Sequence, residues 1–90
     1  MTRFSITVFW QDEDEKAIGD STQIKLTDEC KSMGGRITKT EEGQNWGKTS
    51  FVLPGSEKRF ANVLEGTWIA LSSLGIRAKL ENPLALDRLK

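Results

Sequence analysis

Few side chains in this sequence of 90 residues can perform covalent or acid–base chemistry at neutral pH. The sequence has no histidine and a single cysteine, Cys30. These absences exclude a Ser-His-Asp triad, a Cys-His dyad, histidine metal ligands and a zinc site made of several cysteines. An internal disulfide bond is excluded as well, so stability must come from the core or from a partner.

Carboxylates are concentrated in residues 12–15, directly after the first apolar segment. The pair Asp12 and Asp14 resembles the start of a calcium loop, but that loop needs Gly and Glu where this chain has Ala17 and Gln23. A solvated acidic loop over residues 11–16 is the simpler interpretation. Asp12 and Asp14 remain an alternative site for a hard cation such as Mg²⁺, which prefers oxygen ligands.

The segment Gly47-Lys48-Thr49-Ser50 resembles the end of a phosphate-binding P-loop. The full pattern needs a glycine at position 42, where this chain has Glu42, and it must open a helix. Here the lysine opens a predicted strand. The sequence therefore predicts no nucleotide site and no other cofactor.

Alternation of apolar and polar residues predicts strands, and apolar residues three or four apart predict helices. Paired glycines at 34–35 and a glycine at 75 provide helix ends. The predicted elements are a strand at 4–10, a helix at 21–33, strands at 36–40 and 48–53, a helix from Ser56 to residue 74, and a strand at 76–80. Residues 22–26 also alternate as a strand would, so helix and strand both stay open there.

This order predicts an α+β fold of the ferredoxin-like split βαβ type, with the order βαββαβ. Right-handed crossovers would place both helices on one face of a four-stranded antiparallel sheet. We expect one such domain over residues 1–82, followed by a short C-terminal tail over residues 83–90.

The layout resembles that of small ferredoxin-like nucleases, such as the CRISPR spacer-acquisition nuclease family. Those proteins place an acidic residue just after the first strand, where this chain has Asp12 or Asp14. The resemblance concerns the layout of the chain and implies a metal-dependent nuclease. The first strand departs from that family, because it ends in Phe9-Trp10-Gln11 where the family usually has Tyr-Asp.

The sheet face away from the helices carries the candidate binding residues. By alternation it holds Phe9 and Val52 among the cations Arg36, Arg77 and Lys79. Phe9 could stack on a nucleobase while the cations contact phosphates, or Phe9 and Val52 could form the apolar centre of a protein interface. A solvated face with two tolerated apolar residues is the third interpretation.

Two further apolar residues stand where polar ones are expected. Trp46 lies in a polar segment, residues 41–47, that predicts a loop, and Ile69 lies opposite the core face of the second predicted helix. An exposed aromatic or branched residue of this kind is a candidate contact for a protein partner.

The 13 basic and 13 acidic residues balance. A broad phosphate-backbone binder would be basic and a nucleic-acid mimic acidic, so the total charge favours neither. The start of the sequence lacks the pattern of a signal peptide, and its apolar runs of three to four residues are too short to span a membrane. We therefore expect a cytoplasmic protein without a membrane partner.

We predict a small non-enzymatic module that binds a larger protein as a regulator or inhibitor, with Phe9, Arg36, Trp46, Val52, Ile69, Arg77 and Lys79 as its contact residues. Phage- or plasmid-encoded anti-defence proteins fit this description by analogy. Nucleic-acid binding through the open sheet face and metal-dependent nuclease activity are the alternatives. Edge strands can also pair across a twofold axis, so a homodimer stays open, and Leu84, Leu86 and Leu89 of the tail could cover such an edge.

Overall fold

The computed structural model describes residues 2–54 and 58–81. The fold is α+β, with a four-stranded sheet in the order β2-β3-β1-β4 and antiparallel pairing between all neighbours. The elements are β1 (Thr2–Phe9), α1 (Glu13–Ser32), β2 (Arg36–Gly43), β3 (Trp46–Leu53), α2 (Lys58–Ser73) and β4 (Ala78–Glu81).

The even-numbered side chains of β1 are buried, as their alternation predicted. Phe4, Ile6 and Val8 are at most 3% exposed. The Phe60 ring of α2 packs edge-to-face on Phe4 and Phe51, with ring centroids 5.6 and 5.5 Å apart. Each such pair contributes about 0.5–1.5 kcal/mol beyond the burial of the rings. Both helices add to this one core, through Leu26 and Cys30 of α1 and through Phe60, Leu64 and Leu71 of α2.

The first helix begins at Glu13, much earlier than the predicted start at residue 21. The Asp12 side chain caps it by accepting a hydrogen bond from the N–H of Glu15 at 2.9 Å. Carboxylates in the first turn also interact favourably with the positive end of the helix. The predicted acidic loop over residues 11–16 is therefore wrong. These residues lack the apolar spacing of a packed helix, but they have the composition of a helix start.

The loop predicted for residues 41–47 is also wrong, because only Gln44 and Asn45 join β2 to β3. Asn45 has a φ of 67°, in the left-handed region that asparagine tolerates better than most residues. Gly43 then pairs directly with Trp46. Trp46 is therefore the first residue of a strand and not a loop residue.

The end of α2 explains why β4 is shorter than predicted. Gly75 has a φ of 80° and its N–H bonds to the carbonyl of Ser72 at 3.0 Å. The N–H of Ile76 bonds to the carbonyl of Leu71 at 2.9 Å, which completes a Schellman cap. Ile76 thus terminates the helix while its side chain fills the core, and the strand starts only at Ala78.

Two predictions fall outside the described residues. One is Ser56 as the N-cap of the second helix, and the other is the tail over residues 83–90 with its three leucines. Within the described part of the chain, neither helix is long and apolar enough to cross a membrane.

The cap of α1 gives a first testable prediction. Replacing Asp12 with Ala removes the acceptor for the Glu15 N–H, so the free energy of unfolding should fall by about 1 kcal/mol. Asp12→Asn keeps an acceptor oxygen and should stay close to the wild type. Urea denaturation followed by circular dichroism measures both values, and equal losses in the two variants would contradict a capping role.

Candidate functional site

Both helices pack against the even-numbered side of β1, which leaves the odd-numbered side without a helical layer in the part of the chain that the structure describes. We call this side the open face. Cross-strand partners share a face, so the register assigns its members in four rows. From one end of the sheet to the other, these rows are Arg36, Val52 and Arg3; Lys39, Ser50, Ser5 and Glu81; Glu41, Lys48, Thr7 and Lys79; and Gly43, Trp46 and Phe9.

The open face is strongly basic although the chain as a whole is neutral. Six cations lie on it against two carboxylates, Glu41 and Glu81, which leaves a surplus of four positive charges. Both carboxylates are paired with lysine, at 3.2 Å for Glu41 and at 3.5 and 3.7 Å for Glu81. The six cations are Arg3, Arg36, Lys39, Lys48, Arg77 and Lys79.

The first helix carries the opposite charge. From its cap to its last turn it has seven carboxylates and three lysines, a surplus of four negative charges. Because the open face and α1 lie on opposite layers of the fold, the balanced composition conceals a polarised surface. A polyanion approaching this protein is attracted to one side and repelled by the other.

Two aromatic rings stand at one end of the open face. Phe9 of β1 lies directly opposite Trp46 of β3. The Arg77 guanidinium carbon lies 5.3 Å from the centroid of the Phe9 ring, within the range of a cation–π interaction. Trp46 lies across the strand over Gly43, where an added Cβ would overlap its indole ring. The absence of a side chain at Gly43 thus leaves space for the indole ring beside β2.

The proposed apolar centre of Phe9 and Val52 does not form. Val52 pairs with Arg3 at the far end of β1, six residues from Phe9, and it is only 5% exposed. At about 3.3 Å per residue the two side chains are roughly 20 Å apart. The middle rows between them are polar, with two serines, a threonine, three lysines and two glutamates.

The structure brings six of the seven predicted contact residues onto the open face and leaves Ile69 apart. Ile69 is 53% exposed on the outer surface of α2. Arg3, Lys39 and Lys48 were missed. Strand alternation would have identified Arg3 and Lys48, whereas Lys39 reaches this face only because the register shifts between Ile37 and Lys39.

A second surface lies between the helices. A groove of about 520 Å³ is flanked by Ile18 of α1 and Leu74, which are 39% and 66% exposed. Leu74 follows Ser73, the last residue of α2, and its side chain lies at the groove. We call this surface the helix groove. Its other lining residues are Ala17, Ser21, Thr22, Lys25, Thr67, Ala70 and Leu71.

A smaller cavity of about 210 Å³ adjoins the aromatic end of the open face. We call it the corner pocket. Phe9 and Arg77 belong both to this cavity and to the open face, so the two are continuous. Its remaining lining residues are Trp10, Gln11, Glu15, Asn45 and Gly75.

The residues first considered for chemistry have structural roles. Asp12 is the helix cap, and no group of three or more His, Cys, Asp or Glu side chains in residues 2–54 and 58–81 could hold a metal ion. Cys30 is fully buried, and burial raises the pKa of its thiol. The pKa of Lys16 is raised by the carboxylate of Asp20, which lies 3.4 Å from the Lys16 Nζ, and to a lesser extent by Glu42.

No protein-family model matches this sequence, and no curated protein sequence is significantly similar to it.

The environment of Cys30 predicts an unreactive thiol. Burial and a raised pKa both lower the amount of accessible thiolate, which is the reactive form. At pH 8 we expect the folded protein to react with a maleimide at least about a hundredfold more slowly than the protein in urea, since labelling needs local unfolding. Mass spectrometry at timed intervals gives both rates. Equal rates in the two conditions would place the thiol at the surface.

Proposed function

We propose that this chain is a non-enzymatic binding module whose open face binds single-stranded nucleic acid. One observation carries the proposal: the face combines a surplus of four positive charges with two aromatic rings at one end. A basic track beside aromatic side chains is the combination that binds single strands, because cations attract phosphates and rings stack on bases.

The order of polar and apolar groups favours a polyanion over a protein on this face. A protein interface needs an apolar, weakly charged centre with polar groups at its rim. The open face has the reverse order, since its middle rows are hydroxyls, lysines and two lysine-paired glutamates, and its rings lie at one end. Phosphates could contact such a centre through the lysines without a desolvated apolar core.

A single strand fits better than a duplex. The bases of a duplex are stacked on each other, so Phe9 and Trp46 would have nothing to stack on. A flexible single strand can place phosphates over the cations and turn one or more bases toward the rings. The carboxylates of α1 support the same proposal, because they disfavour binding to the opposite side of the molecule.

Binding should depend on salt through the cations of the open face. Arg3 and Arg36 have no carboxylate within 4.0 Å among the described residues, so both can contact phosphates. Each phosphate contact adds about 0.7 to the salt slope for single strands, so Arg3→Gln/Arg36→Gln should lower the slope by about 1.4. Fluorescence anisotropy with labelled oligo(dT) at several salt concentrations measures it.

Two exposed cations on α2 provide the matched control. Lys58→Gln/Arg59→Gln removes the same charge from the opposite layer and should leave the slope unchanged. A similar decrease in both variants would mean that only the overall charge matters. A wild type without salt-dependent binding would exclude nucleic acid as the partner.

The helix groove favours a second candidate, the docking on a larger protein that the sequence predicted. Ile18 and Leu74 expose apolar surface along a groove of a size that can accept side chains of a partner. In this second candidate the function is still that of a non-enzymatic regulator or inhibitor, but the contact surface lies on the helices and not on the sheet.

A paired comparison tests this second candidate. Ile18→Ser/Leu74→Ser should lose a protein that the wild type retains from a native-host lysate in high salt. Ile24→Ser/Ile69→Ser removes two exposed apolar residues outside the groove, and this variant should retain the protein. Recovery of the same protein by both variants, identified by mass spectrometry, would exclude the groove. Its loss by the Ile24/Ile69 variant alone would favour the outer helix surface.

We also propose a specific fold type and a cellular location for this protein. The element order, the strand order β2-β3-β1-β4 and the antiparallel neighbours support a ferredoxin-like split βαβ arrangement. We also keep the cytoplasmic location that the sequence predicted.

A further inference from the structure

We infer that the corner pocket is a subsite for one unpaired nucleobase with an exocyclic amine, such as cytosine. This inference rests on the proposed binding of single strands to the open face. It assigns a chemical preference to a module that would otherwise contact only phosphates.

The position of the pocket is the first argument. It opens beside Phe9 and Arg77, which also form the aromatic end of the open face. A strand that follows the cations along β1 therefore reaches this cavity at its end. With a volume of about 210 Å³, the pocket has room for one small planar group rather than for a larger ligand. The guanidinium and the phenyl ring beside it are both groups on which a base stacks.

The carboxylate of Glu15 is the second argument. It is half-buried in the pocket wall, next to a face that otherwise attracts anions. Its one described hydrogen bond, from the N–H of Gln11, is long at 3.4 Å. A carboxylate beside a bound polyanion is unfavourable unless it accepts hydrogen bonds from the ligand. The pocket therefore favours a base that donates.

The remaining polar groups complete this donor–acceptor pattern. The side chains of Gln11 and Asn45 line the pocket and make no hydrogen bond to another described residue. Their amides can donate to the ring nitrogen or the carbonyl of a base and can also accept from it. Cytosine presents its amine at the end of the Watson–Crick edge, where a carboxylate can accept from it, whereas the one donor of thymine, N3–H, lies between two carbonyls that a carboxylate repels. Glu15 therefore favours cytosine over thymine.

Two homopolymers test the inference. Single strands of oligo(dC) and oligo(dT), about twelve nucleotides long, carry equal charge and similar rings. At neutral pH we expect the wild type to bind oligo(dC) about fivefold or more tightly, since a hydrogen-bonding mismatch at one base costs at least this factor. Fluorescence anisotropy at a fixed salt concentration measures both dissociation constants.

Glu15 has a matched control in the same helical turn. Glu15→Gln should abolish the preference for oligo(dC), because the amide offers the amine one acceptor without charge. Glu13→Gln makes the same change in charge outside the pocket and should keep the preference. Phe9→Leu should lower the affinity for both oligonucleotides by about fivefold or more. It should leave the salt slope unchanged, since it removes stacking alone.

The outcomes separate the two proposals. Equal affinity for the two homopolymers, or a preference that survives Glu15→Gln, overturns the base subsite and leaves the binding of single strands intact. Failure of the wild type to bind either homopolymer at low salt overturns the proposed function itself.

Discussion

The fold depends on one constraint: two helices can cover only one side of a four-stranded sheet. That side is shielded from solvent, and β1 contributes Phe4, Ile6 and Val8 to the core there. The Phe60 ring closes the core from α2 by packing on rings of both central strands. No described helix covers the other side, which is lined mainly by polar and charged residues although Ser5, Thr7 and Val52 on it are buried. Charged residues are tolerated there because the core lies on the other side of the sheet.

The zero net charge of the chain conceals an uneven distribution of charge between the layers of the fold. Total charge is a property of the sequence, whereas attraction of a partner depends on where the charges lie. Here the strands place cations on the open face and α1 places carboxylates on the opposite layer. A protein of zero net charge can therefore carry a basic track without attracting polyanions over its whole surface.

Glycine permits two close approaches within the fold. At Gly43 the missing side chain leaves space for the Trp46 indole, which would otherwise be displaced from the sheet. At Gly19 the missing side chain lets α1 approach β1, where an added Cβ would lie 3.0 Å from a methyl group of Val8. At both positions the missing side chain sets the distance between neighbouring elements.

The sequence by itself determined the features that depend on neighbouring residues. Alternation identified the core side of β1, and the left-handed Gly75 marked the end of α2, because both signals lie within a few residues of chain. The same alternation placed five of the seven predicted contact residues on one face, whereas Trp46 joined them only through the strand pairing. Only the tertiary structure brought Glu15 of α1 to Arg77 and Phe9, because distant segments meet there. The register shift before Lys39 likewise required the sheet pairing. The start of α1 did not, because its cap joins Asp12 to Glu15 within one turn and is a local signal that the apolar pattern does not show.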